Sequence, residues 1–286
     1  MNTASSTIPI AAATMLAFAS NSILCRLALL PGSIDAGSFT IVRLLSGALI
    51  LIAITAARKD GSWKVPHWRA ALALFCYAAP FSYAYVRIPV GVGALVLFPA
   101  VQLTMIGWDI ARGKRLHLLE WSGLALAMVG LVVLTLPGVT APDPIGAGLM
   151  ATAGISWGMY SLIGRGNKNP GANTASNFLF GLLFALPLLA FSGGSVHVSD
   201  VGLTYAIVSG SLASGLGYVL WYRLLPRITA TQAGILQLLV PVLAALAGVM
   251  FLGEPMTNRL VFAGAAIIGG VALAVVVPTV RTAKRL

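Results

Sequence analysis

Ten stretches of about 20 mostly apolar residues follow one another along the chain, at about 8–28, 36–57, 68–86, 91–110, 119–137, 143–163, 174–191, 200–222, 230–251 and 258–278. A helix of about 20 apolar residues spans the hydrocarbon core of a bilayer. The segments are too long and too rich in Leu, Ala and Gly for barrel strands. The links are short, so no soluble domain fits between them. Only 9% of residues are charged, against about a quarter in a soluble domain. So few charges cannot cover a water-facing surface, and the expected fold is an all-α membrane protein with ten transmembrane helices.

The net charge of +11 is explained by its distribution rather than by nucleic acid. With ten spans both termini lie on one side. Placing that side in the cytoplasm puts there Arg58, Lys59, Lys64, Arg69, Arg112, Lys114, Arg115, Arg165, Lys168, Arg223, Arg227, Arg281, Lys284 and Arg285, 14 of the 18 basic residues. Arg26, Arg87 and Arg259 face outward, and Arg43 lies within a span. This follows the positive-inside rule and predicts cytoplasmic termini. Ala17-Phe18-Ala19 resembles a signal cleavage site, but no Lys or Arg precedes Arg26, so the first segment reads as a retained span. Cys25 and Cys76 lie in apolar runs and read as core residues.

The two halves echo each other. Ser20-Asn21 aligns with Ser156-Trp157, Pro99 with Pro241, Gly113 with Gly253, and Gly130 with Gly270. The expected division is residues 1–140 and 141–286, five helices each. A five-span unit that repeats must cross the membrane in the opposite sense the second time. Inverted repeats of this kind form secondary transporters, with the substrate site near the midplane.

Ser156-Trp157-Gly158, Arg43 near the start of the second span, Pro241, and LGEPMT at 252–257 give the chain its resemblance to a known family. It resembles the drug/metabolite transporter superfamily in its ten-helix EamA-type form, and within it is most similar to the YddG-type amino-acid exporters. The resemblance implies a bacterial inner-membrane exporter working by alternating access. The first repeat departs from the pattern, with Gly113-Lys114 where the second has Gly253-Glu254 and Asn21 where the second has Trp157.

Polar residues inside apolar spans face the bundle or a wet cavity. The expected substrate cavity is lined by Asn21, Tyr77, Tyr83, Gln102, Trp157, Tyr160, Tyr218 and Gln237, with Arg43 either meeting a substrate carboxylate or snorkelling. Ser82, Ser209, Ser211, Ser214 and Gln232 are further polar positions. Helix glue is the rival role for each amide and hydroxyl, and an interface belt for Tyr83 and Tyr85. Pro99 and Pro241 remove a backbone hydrogen bond within their helices and are candidate hinges. Gly91 and Gly93 are expected to loosen the outer link before the fourth span as a gate. The fifth and tenth spans carry small residues four apart, Gly123 and Ala127, Ala266 and Gly270, and are expected to pair as scaffold in a functional monomer.

All seven acids and three histidines fall at span ends or in links; Asp109 and Glu120 sit at cytoplasmic ends. Without a deep titratable group, proton-driven export of cations is disfavoured. No P-loop, HExxH or deep acid–base pair suggests an enzyme, a metal site or a cofactor. The expected substrates are small neutral or zwitterionic metabolites, amino acids first, aromatic or otherwise neutral. The alternative is nucleotide-sugar-like or cationic compounds.

Overall fold

The computed structural model describes residues 3–59, 62–113, 118–135, 141–164, 169–191, 196–224, 236–237 and 239–283. Asp60, Lys114, Arg115, His117, Arg165, Lys168, Arg227, Gln232, Lys284 and Arg285 lie outside these residues, as do the side chains of Asp109, Glu120 and Arg281. The expected boundary near residue 140 also lies outside them.

Among the described residues ten longer helices follow in order: α1 (Thr3–Leu29), α2 (Ala36–Ala57), α3 (Trp68–Arg87), α4 (Val90–Ala111), α5 (Leu118–Thr135), α6 (Pro144–Gly164), α7 (Pro170–Ala185), α8 (Asp200–Leu224), α9 (Leu239–Leu252) and α10 (Asn258–Ala283). Local chemistry sets their starts. Asp35 caps α2 by accepting from the Ser38 N–H at 2.8 Å, and Ser199 caps α8 by accepting from Gly202 at 3.1 Å. Asn169 caps α7, with Pro170 at the first helical position. Gly113 and Gly253 follow α4 and α9 with φ of 90° and 63°, a left-handed conformation that ends a helix at little cost only for glycine.

One expected span is corrected. The apolar segment 174–191 is not a single helix: α7 begins at Pro170 and ends at Ala185, before a short helical turn at Leu188–Phe191. Leu186 still has helical angles and bonds the Leu182 carbonyl, but Pro187 has no N–H to donate to the next one, so the regular helix stops there.

Among the described residues α1, α2, α4 and α8 are long and apolar enough to cross a membrane. The described apolar stretches of α5, α9 and α10 are shorter, at Trp121–Leu134, Leu239–Leu252 and Asn258–Gly270. α3 and α6 have the length, but their Gly, Ser, Tyr and Trp lower the hydropathy. The outer surface is apolar: Leu49, Val129, Met250, Phe251 and Phe262 are all exposed. That surface suits lipid, where an exposed apolar side chain has no cost.

α1 packs on α8 and α9, while α6 packs on α3 and α4; α2 meets α7, α4 meets α9, and α5 meets α10. Glycines allow the closest crossings. A Cβ on Gly210 would collide with the Ser46 hydroxyl and the Arg43 carbonyl, and one on Gly47 would collide with the Phe178 ring. A Cβ on Gly270 would lie 2.5 Å from the Ala127 nitrogen and the Gly123 oxygen. Gly210→Ala should therefore lower stability by about 1–3 kcal/mol through overpacking. Gly148→Ala, where the added Cβ meets nothing within 4 Å, should leave it unchanged. Thermal unfolding of the two purified variants in detergent measures the difference.

Candidate functional site

Four helices bring polar side chains to one buried ring. Asn21 of α1 donates from Nδ2 to the Tyr77 hydroxyl of α3 at 3.2 Å. Its Oδ1 accepts from the Ser209 hydroxyl at 2.7 Å and the Ser214 hydroxyl at 3.4 Å, both on α8. Arg43 of α2 closes the ring, donating from Nη2 to the Tyr77 hydroxyl and from Nε to the Ser214 hydroxyl, each at 3.1 Å.

Arg43 is 1% exposed. It does not snorkel: its guanidinium carbon lies 5.2 Å from the Tyr77 ring centre and 5.0 Å from that of Phe81. Among the described residues no carboxylate pairs with it, and its Nη1 has no partner. Ring faces and hydroxyls compensate part of the charge. The site is therefore electropositive.

The local shape of α8 makes the ring possible. Over Ser209–Leu216 the helix widens to a π-helical stretch, with the Gly217 N–H bonded to the Leu212 carbonyl five residues back. In an α-helix, residues five apart diverge by about 140° around the axis. In a π-helix the i and i+5 positions are the hydrogen-bonded neighbours. The widening thus turns Ser209 and Ser214 to the same side, where both reach Asn21. The segment SGSLASGL is small enough to lie against α2 through Gly210 and Gly215.

Beside the ring is a cavity lined by Phe18, Asn21, Ser22, Tyr77, Phe81, Leu97, Phe98, Trp157, Ala213 and Tyr218. Its volume is about 30 Å³, the scale of water rather than of a metabolite. Trp157 of α6 forms one wall, with its ring centre 5.0 Å from Tyr77, 4.8 Å from Tyr218 and 6.0 Å from Phe18. Among the described residues the buried Tyr218 hydroxyl completes no hydrogen bond. A larger solute enters only if these rings part.

Of the residues read from the sequence, Asn21, Tyr77, Trp157 and Tyr218 line this cavity, and Arg43 stands one layer behind it. Tyr160 is buried next to Trp157 and accepts from the Asn177 amide at 3.2 Å. Gln102 and Gln237 are buried but outside the lining. Tyr83 is half-buried and also outside it. Pro99 lies inside α4, and Pro241 is the third residue of α9 as described. Ser209 and Ser214 join the ring through a helix widening that an α-helical periodicity would not reveal. Phe18 and Phe81 look like ordinary apolar residues in the sequence.

Gly91 and Gly93, expected to loosen the link before α4, are closely packed in this structure. Both sit in the first turn of α4. A Cβ on Gly91 would lie 3.0 Å from the Ala245 Cβ, and one on Gly93 would lie 2.5 Å from the Tyr85 ring. They allow close packing rather than slack. Glu254 of the LGEPMT stretch secures this end instead. Its carboxylate accepts from the Val90 N–H at 2.8 and 3.1 Å, where α4 begins, and from the Arg26 Nε at 3.3 Å. Arg26 Nη1 also donates to the Tyr85 carbonyl at 2.6 Å and the Val86 carbonyl at 3.3 Å. The end of α1, the end of α3, the start of α4 and the α9–α10 link are thus joined by one ion pair with both side chains 10% exposed. No group of three potential metal ligands occurs among the described residues.

Removing either hub should cost stability. Asn21→Ala strands the Ser209 hydroxyl without its acceptor and should cost about 1–3 kcal/mol. Glu254→Ala leaves Arg26 without its anion and should cost at least as much, while Glu254→Gln, which keeps an acceptor for Val90, should cost less. Thermal unfolding of the three variants orders them; equal melting points for Glu254→Ala and wild type would contradict the role of the ion pair.

The comparisons with known proteins agree with this architecture. Residues 144–276 match the model of the EamA-like transporter family. An uncharacterized protein of Pseudomonas aeruginosa is 50% identical over 272 residues, covering 95% of this chain and 94% of its own. The threonine/homoserine exporter RhtA of Escherichia coli K12 is 29% identical over 245 residues, covering 82% and 80%. The uncharacterized transporter YwfM of Bacillus subtilis is 28% identical over 238 residues, covering 79% and 80%. A solved crystal structure superposes with a TM-score of 0.70 at 21% identity, over 95% of this chain and 98% of that one, which places the fold. A ten-helix bundle with an apolar outside, a buried polar ring and these relatives belongs to the EamA-like transporter family of the drug/metabolite transporter superfamily.

Proposed function

We propose that this chain exports small neutral or zwitterionic metabolites, amino acids foremost, by alternating access through the Asn21–Trp157 cavity. The observation that carries this reading is the buried Arg43–Tyr77–Asn21–Ser214 ring against an aromatic-walled cavity. Polar groups at that depth are costly unless they serve packing or a solute. The electropositive ring repels cations, so it does not suit a cationic drug. Relatives named as threonine/homoserine exporters are aligned over about four-fifths of the chain, which supports the amino-acid class.

Alternating access here rests on two inverted halves, residues 1–140 and 141–286. The contact pattern supports this: exchanging α1–α5 with α6–α10 turns α1 on α8 into α6 on α3, and α1 on α9 into α6 on α4. The pairs α2–α7, α4–α9 and α5–α10 map onto themselves. The left-handed glycines Gly113 and Gly253 end equivalent helices. In this reading α5 and α10 form the scaffold of a monomer. Pro99 and Pro241 serve as hinges, and the basic side with both termini faces the cytoplasm of a bacterial inner membrane.

The test is efflux from proteoliposomes loaded with labelled threonine, homoserine, tryptophan, a quaternary ammonium drug or a sugar phosphate. Saturable efflux of at least one amino acid, several-fold above protein-free liposomes, is expected, without comparable flux of the drug or sugar phosphate. Flux confined to the drug or the sugar phosphate would overturn the reading.

A further inference from the structure

Within this transport reading, on which the inference rests, we propose that Tyr77 and Tyr218 form a carboxylate-reading pole, charged from behind by Arg43, so that the site selects small carboxylates and leaves the amine dispensable.

Tyr77 carries the first part of the argument. A phenol oxygen has one proton to give and two acceptor positions. Both acceptor positions are taken, by Asn21 Nδ2 at 3.2 Å and by Arg43 Nη2 at 3.1 Å. What the hydroxyl has left is its proton, on a side chain that lines the cavity. A cationic donor on the oxygen polarises the O–H and strengthens what it donates. Arg43 itself is not in the lining, so its charge reaches the cavity through Tyr77 rather than by direct contact.

Tyr218 carries the second part. It is 2% exposed and lines the same cavity, and among the described residues its hydroxyl completes no hydrogen bond, with the Tyr77 hydroxyl as its polar neighbour. A buried hydroxyl without a partner is rare in a settled interior. Tyr77 and Tyr218 each stand within 5.0 Å of Trp157, ring centre to ring centre, so the two phenols flank one wall. Two hydroxyl donors backed by an unpaired guanidinium are complementary to a carboxylate, whose two oxygens accept and do not donate. Among the described residues no carboxylate lines the cavity to meet an ammonium group. The amine can meet only ring faces and the neutral side-chain oxygens of Asn21 and Ser22 there, which bind weakly compared with a counter-charge. An ester of the same amino acid brings a net positive charge toward Arg43 and loses the anion.

The experiment uses three probes of similar size: threonine, threonine methyl ester and 2,3-dihydroxybutyrate, which has a hydroxyl in place of the amine. Each is tested as an inhibitor of labelled threonine efflux from proteoliposomes and for its effect on the melting temperature of the purified chain. The dihydroxy acid is expected to compete within about threefold of threonine and to raise the melting temperature; the ester is expected to do neither. Tyr218→Phe removes a hydroxyl whose polar neighbour, the Tyr77 hydroxyl, is not held in full hydrogen-bond geometry, so the variant should melt within a few degrees of wild type. It should still bind the acids about tenfold more weakly, the scale of one hydrogen bond to a charged group. Tyr77→Phe should shrink the acid-to-ester preference further. An ester that competes as well as threonine, or an acid-to-ester ratio unchanged in Tyr218→Phe, overturns the carboxylate pole while transport itself stands. Absence of flux for every amino acid overturns the transport reading beneath it, and a melting temperature unmoved by either acid overturns the pole.

Discussion

A guanidinium buried with no carboxylate beside it among the described residues is the constraint around which the interior is arranged. An isolated cation in a low-dielectric interior costs several kcal/mol even after relaxation. Arg43 is held by the hydroxyls of Tyr77 and Ser214 and by the ring faces of Tyr77 and Phe81. Those groups come from α3 and α8, so α2 must lie against both. Asn21 then joins α1 to the same assembly by binding Tyr77 and the two serines of α8. The charge, not the apolar periodicity of the helices, explains why these four helices meet at that depth. In lipid, apolar faces alone give helices little preference for one another.

The arrangement needs small residues at particular places. The Arg43 carbonyl and Ser46 hydroxyl leave no room for a side chain on Gly210. The same stretch of α8 carries the π-helical widening that turns Ser209 and Ser214 to one side. Wider helical turns are uncommon and concentrate at functional sites. At one end of the bundle, the Arg26–Glu254 pair gathers α1, α3, α4 and the α9–α10 link. The structure thus has a polar centre that is electropositive and one end held by an ion pair, with a cavity of water size near the ring.

Much of the fold was legible in the sequence because ten apolar stretches and a one-sided basic bias leave few alternatives. Where the reading went astray, a local rule outweighed apolarity: Pro187 cut the segment 174–191, and hydropathy averages could not register it. The site was partly legible. Asn21 stood out because an amide flanked by serines is anomalous in an apolar span, and Arg43 because it is charged. Ser209 and Ser214 were visible as polar residues, but their joint role depends on a helix widening that changes which residues share a face. Gly91 and Gly93 suggested slack, since glycine permits both flexibility and close approach; the neighbours Ala245 and Tyr85 decide for close approach. Glu254 stood in a motif whose partner, Arg26, lies 228 residues earlier, a pairing no local pattern reveals.

The most direct measurement of the central claim, that this cavity receives the transported solute, is substrate protection at Ser22. Ser22 lines the cavity, and cysteine there is nearly isosteric. With Cys25 and Cys76 replaced by alanine, the rate of Ser22→Cys alkylation by a small maleimide would be followed in proteoliposomes with and without saturating amino acid. The account predicts slower labelling when the solute is present. Labelling at the same rate with solute that is being transported would show that the solute passes elsewhere, and would contradict the assignment of the ring and its cavity as the transport site.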